Sequence, residues 1–128
     1  MLTKDDFERA ALDKPRMEKV TIPGIGEVFI RVLSARARDG FDASVFDGET
    51  RNVDNLSARL VVLCLCDETG KVLFPDARAG AATLGNMPTA IIEMLYNQCR
   101  ALNGIGVANV AALAKNSAAT TESDSSTA

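Results

Sequence analysis

Residues 55–74, Asn-Leu-Ser-Ala-Arg-Leu-Val-Val-Leu-Cys-Leu-Cys-Asp-Glu-Thr-Gly-Lys-Val-Leu-Phe, constrain the fold more than any other stretch of the chain. A long apolar element runs into an acidic turn closed by Gly70, and a second short apolar run follows. Leu56, Leu60, Leu63 and Cys64 fall at helical spacing, and the remaining apolar residues make the element hydrophobic nearly all round. An element with no polar face belongs at the centre of a domain. Periodicity fits two readings of 60–66: part of a helix that starts near 52–54 and runs to about Asp67, or a buried strand pairing with 71–74 across the turn at 67–70. The helix is favoured, because Leu56-Ser-Ala-Arg extends the pattern beyond ordinary strand length.

The flanking segments carry clear local signals. Thr3 is a good helix N-cap, Asp6 takes the third helical position, and Leu2 and Phe7 occupy the staple positions. Pro15 ends this first helix near Leu12, and Phe7, Ala10 and Ala11 form its narrow apolar face. Residues 18–22 and 27–33 alternate with a period of two, placing Val20 and Ile22 on one side with Val28, Ile30 and Val32. Pro23-Gly-Ile-Gly26 between them is turn chemistry, so an antiparallel hairpin is expected. Two strands alone are marginal in water, so a helix or a neighbouring subunit must cover them. Ser34 caps a second helix over 35–46 with Phe41 and Val45 on its buried stripe, and 47–52 reads as a polar loop. Residues 76–85 read as a short Ala-rich helix weakened by Gly80. Pro88 then opens an amphipathic helix over 89–102 whose core face is Ile91, Ile92, Leu95, Cys99 and Leu102, stopped by Asn103-Gly104. A last short helix is expected over 107–114. The expected fold is α+β, a mostly helical single domain over 1–116 with an N-terminal antiparallel hairpin. Residues 117–128, all Ser, Ala, Thr, Glu or Asp, form a disordered polar tail with no large apolar group to offset chain entropy.

The chain is poor in reactive groups. Its 128 residues contain no His, the commonest general base and metal ligand. Asp5/Asp6 and Asp67/Glu68 are explained as helix-start and turn residues, and neither Gly24-Ile-Gly26 nor Gly104-Ile-Gly106 has the Lys-Ser/Thr of a phosphate loop. No catalytic, cofactor-binding or metal-binding residue is therefore assigned. The 3 cysteines, Cys64, Cys66 and Cys99, are odd in number and lie in apolar surroundings, where they act as small reduced hydrophobes. A net charge of −3 with scattered Arg and Lys argues against nucleic acid. No long apolar span or signal-peptide core points to a membrane, so a cytoplasmic protein is expected. What remains is binding through surfaces. The candidate protein-binding residues are Val20, Ile22, Val28 and Ile30 on the hairpin, with Ile92 and Tyr96 on the amphipathic helix. For each, packing into the chain's own core is the competing reading.

The order of these motifs resembles the tail assembly chaperones of long-tailed double-stranded DNA phages and their prophages, over roughly residues 1–115. The residues that carry the resemblance are the Asn-Leu-Ser-Ala-Arg-Leu run ending at Leu60, the Cys-Asp-Glu-Thr-Gly turn ending at Gly70, Leu73-Phe74, Leu102-Asn-Gly104 and Ala114-Lys-Asn116. The resemblance implies a non-virion assembly factor in the host cell cytoplasm, made also as a longer product by translational frameshifting near the end of the short form. Its implied partners are the tail tape measure protein, which it keeps soluble, and the tail tube protein; self-association is a further expectation. A structural tail-completion or head-tail connector protein is the alternative, and a host-type adaptor or antitoxin-like regulator a third.

Overall fold

Local capping chemistry sets the start of each of the first two helices. In the computed structural model, which describes residues 1–105, helix α1 (Lys4–Leu12) opens at Thr3 in extended conformation. The Thr3 hydroxyl accepts the Asp6 N–H at 3.3 Å, and the Asp6 carboxylate accepts the Thr3 N–H at 2.8 Å. Strands β1 (Met17–Ile22) and β2 (Gly26–Arg31) form the expected hairpin, with Val20 opposite Val28 and Lys19 opposite Phe29. Gly24 at φ +79° and Gly26 at φ +147° provide the turn, in backbone regions that side chains disfavour. Helix α2 (Ala35–Val45) begins where the Ser34 hydroxyl accepts the Ala37 N–H, and it buries Phe41 and Val45.

The central apolar element resolves into both of its readings. Helix α3 covers Leu56–Cys64, and the next two residues turn into strand β5 (Leu65–Cys66). That strand pairs antiparallel with the free edge of β2, Ile30 opposite Leu65 and Phe29 opposite Cys66, giving the sheet order β1-β2-β5. The expected helix therefore stops three residues early, because the open edge of the hairpin offers partners for backbone that would otherwise be buried unpaired. Pairing across the acidic turn also occurs, as a single bridge between Cys66 and Val72. The Asp67 carboxylate closes that turn by accepting the Thr69 N–H at 2.8 Å, the Thr69 hydroxyl at 2.6 Å and the Lys71 N–H at 3.1 Å.

The stretch expected as a polar loop instead forms a small hairpin, β3 (Phe46–Asp47) with β4 (Thr50–Arg51). Helix α4 (Ala77–Leu84) is capped by Asp76, and its Gly80 has a packing purpose. A Cβ there would lie 2.6 Å from Val62 and 2.7 Å from Phe74, so glycine lets α4 approach α3 closely. Helix α5 (Thr89–Asn103) ends at Gly104 in left-handed conformation, φ +67°. The core gathers around α3: Ile30, Leu60, Val61, Val62, Cys64, Leu95 and Cys99 are all but excluded from water. Each such large aliphatic side chain stabilises the fold by about 1.5–3 kcal/mol. No helix among the described residues is long and apolar enough to cross a membrane. The helix expected over 107–114 and the polar tail over 117–128 lie outside the described residues.

Candidate binding surface

One side of α3 packs on α5, where the Ser57 hydroxyl meets the Glu93 carboxylate at 3.2 Å. Its other side is the floor of an open cleft. Asn55, Arg59, Val62 and Leu63, at helical spacing, form that floor, with Ala37, Gly40, Phe41 and Ser44 of α2 on one wall. Ala77, Arg78, Ala81 and Ala82 of α4 form the other wall, and the space enclosed is roughly 700 Å³. The room exists because both walls present Ala and Gly where larger residues would meet. Gly40, Ala77, Arg78 and Ala82 are exposed along its rim. A floor of one nine-residue helix gives the cleft a length of about 13 Å.

The end of the cleft near the start of α3 is held rigidly by polar contacts. The Arg59 guanidinium donates from Nη1 to the carbonyls of Asn52 at 3.0 Å and Asp54 at 2.9 Å. Its Nη2 donates to the Ser44 carbonyl at 3.1 Å and to the Ser44 hydroxyl at 2.7 Å. One side chain thus ties α2, the β3–β4 hairpin and α3 together. Asn55, left-handed at φ 51°, donates from Nδ2 to the Ala81 carbonyl at 2.9 Å and pins α3 to α4. At the far end of α5, Asn103 plays the matching part. Its Oδ1 accepts the Leu33 N–H at 2.7 Å, while Nδ2 donates to the carbonyls of Cys99 at 3.0 Å and Arg31 at 3.3 Å.

The six residues expected to face a partner are placed mainly inward. Val20, Ile22, Ile30 and Ile92 are buried members of the core, and Val28 and Tyr96 are half-buried against it. The hairpin's apolar face is covered by the chain's own helices, and β5 occupies the β2 edge, so these side chains have little surface to give. The apolar surface that remains free lies elsewhere. Helix α1 buries none of its residues, and Leu2 and Phe7 stand 71% and 65% exposed. Periodicity showed that α1 has an apolar face but not that none of its residues is buried among the described part of the chain. The cleft was also missed. Its signal in the chain is the small-residue spacing Ala37/Gly40 and Ala77/Ala81, which reads locally only as weak helix.

The thiols are inward as expected: Cys64, Cys66 and Cys99 are free and buried. A hydrogen bond between the sulfurs of Cys64 and Cys99 holds Cys64 below the usual thiol range and pushes Cys99 above it. Burial pushes Cys66 up as well. Asp6 and Asp67 are held below the usual carboxylate range, chiefly by hydrogen bonds from Thr3 and Thr69 respectively. Among the described residues, no group of three or more His, Cys, Asp or Glu side chains could hold a metal ion. The arrangement offers shape and apolar area, rigidly framed. Comparison with protein-family models, with curated proteins and with solved structures finds no match to this chain.

Proposed function

We propose that this chain is a non-catalytic tail assembly chaperone of a long-tailed phage or prophage. In the host cell cytoplasm it binds the tape measure protein, keeps that protein soluble, brings tail tube subunits to it, and leaves before the particle is complete. The observation that supports the reading best is the pair of surfaces that no described residue covers, the α2–α3–α4 cleft and the apolar face of α1. A chaperone of a long helical client needs sites of helix dimensions that bind weakly. Many weak contacts along one client shield it without locking onto it. The motif order from Asn55 to Gly104 adds the family expectation. In this structure Asn55, Arg59 and Asn103, all within those motifs, are the residues that hold the helices in place.

Co-expression tests the proposal. With this chain present, the soluble fraction of the tape measure protein should rise several-fold; equal solubility with and without it would overturn the reading. Mass spectrometry of purified particles separates the chaperone from a connector: the chaperone is missing from the particle, a connector is present.

A further inference from the structure

We propose that Asn103 is a site of spontaneous deamidation that the folded chain shields, so that a molecule left unfolded is converted there and loses the bonds that hold the end of α5. Of the Asn residues in the chain, Asn103 alone is followed by Gly. That neighbour matters because deamidation is an attack by the next residue's backbone nitrogen on the Asn side-chain carbonyl carbon. Glycine has no Cβ to obstruct the approach and has the backbone freedom to make it.

The step is intramolecular and needs only water and hydroxide. Hydroxide takes the proton of the Gly104 N–H, and the nitrogen's electron pair forms a bond to Asn103 Cγ. The Cγ–Nδ2 bond breaks, and the leaving nitrogen takes a proton from water and departs as ammonia. Water then opens the cyclic imide at either carbonyl. One opening gives Asp at 103; the other gives isoaspartate, with the main chain routed through the side-chain carbon. The net change is an amide turned into a carboxylic acid.

The fold opposes each part of this step. Asn103 is the last residue of α5, and Gly104 follows it at φ +67°. Closing the imide would swing Cγ onto the Gly104 nitrogen, and the side chain is held against that swing. Its Oδ1 accepts the Leu33 N–H at 2.7 Å. Its Nδ2 donates to the Cys99 carbonyl at 3.0 Å and the Arg31 carbonyl at 3.3 Å, with Cys64 Sγ at 3.8 Å. The attacking nitrogen is engaged as well, because the Gly104 N–H donates to the Ala101 and Arg100 carbonyls. The end of α5 must therefore part from β2 and α3 before reaction begins, and the bonds broken make that opening rare.

Conversion then works against refolding. The acid product has no amide donor for the Cys99 and Arg31 carbonyls, and its negative charge sits at the negative pole of α5. The Arg38 guanidinium, which donates to the Asn103 carbonyl at 3.4 Å, offsets only part of that charge. Isoaspartate adds a carbon to the main chain at the helix stop, so the side chain's present bonds are lost outright. The inference needs the chain alone, so it stands or falls separately from the identity of any client.

Peptide mapping by mass spectrometry is the test, on the full chain held in mildly alkaline buffer with and without denaturing urea. The native protein should convert at 103 at least about thirtyfold more slowly than the unfolded chain. Gly104→Ala should slow conversion several-fold in urea, where folding plays no part, because its Cβ crowds the attacking nitrogen. Once urea is removed, converted molecules should melt at a lower temperature than unconverted ones. A native chain that converts as fast as the unfolded one, a Gly104→Ala chain no slower in urea, or converted molecules that melt with the wild type would overturn the proposal.

Discussion

Replacing Asn103 by alanine removes the latch between α5, the end of β2 and Leu33 two residues beyond it. The Leu33 N–H, donated to Asn103 Oδ1 at 2.7 Å, loses its partner, and Leu33 itself is only 8% exposed. Leaving a buried donor unsatisfied costs about 1–3 kcal/mol, and the two bonds donated to the Cys99 and Arg31 carbonyls add about 0.5–1.5 kcal/mol each when lost. Asn103 is half-buried, so water recovers part of this, and the expected net loss is about 2–4 kcal/mol. For a domain whose whole stability is about 5–15 kcal/mol, that is a large fraction. Urea titration followed by circular dichroism reads it as a midpoint lowered by roughly 1–3 M with an unchanged slope. Asn103→Asp keeps the acceptor for Leu33 and loses only the amide donors, so its loss should fall between. Asn86→Ala, which removes one exposed bond to the Ala82 carbonyl, is the control and should stay within about 0.5 kcal/mol of wild type. If Asn103→Ala were no worse than Asn86→Ala, the latch would be decoration and the reasoning wrong.

Gly80→Ala should destabilise by about 1–3 kcal/mol in a thermal melt, because the new methyl would meet Val62 and Phe74. Gly40→Ala, in open space on α2, should stabilise by about 0.5–1 kcal/mol; the opposite order of the two would refute the close packing of α3 on α4. Arg59→Ala should cost about 1–2 kcal/mol and speed amide exchange over 46–55, since four acceptors lose one donor. The Asp67 carboxylate, held below its ordinary 3.8, contributes stability that is complete above that value and fades as pH falls through the lower folded value. Amide exchange at Thr69 and Lys71 should therefore become less protected only in acid, and Asp67→Asn should remove that dependence; an unchanged acid limb would count against it.

The elements with local causes were legible in the chain. Thr3 and Ser34 cap the helices they were expected to cap, the 23–26 turn joins β1 to β2, and Gly104 stops α5. Elements decided by distant partners were not. Leu65 and Cys66 leave the helix because β2 has an open edge, which periodicity within 60–66 cannot reveal. The 47–52 stretch carries no strand alternation, yet two pairs of residues suffice for the β3–β4 hairpin once Arg59 holds its flanks. Gly80 and Asn103 looked like a weak helix residue and a helix stop. Their neighbours across the fold, Val62, Phe74, Leu33 and Arg31, give them their function. The same holds for the residues singled out as protein-binding. Alternation identifies Val20, Ile22, Ile30 and Ile92 as apolar, but only the fold shows that they are core while Phe7 is left outside.

Light scattering of tape measure protein diluted from denaturant, with increasing amounts of the purified chain, measures most directly whether this protein works by covering another's apolar surface. The account predicts that scattering falls in proportion to added chain until the client is saturated, and that Gly40→Leu, with its cleft filled, suppresses it less. Scattering that is indifferent to the chain at every ratio would contradict the account.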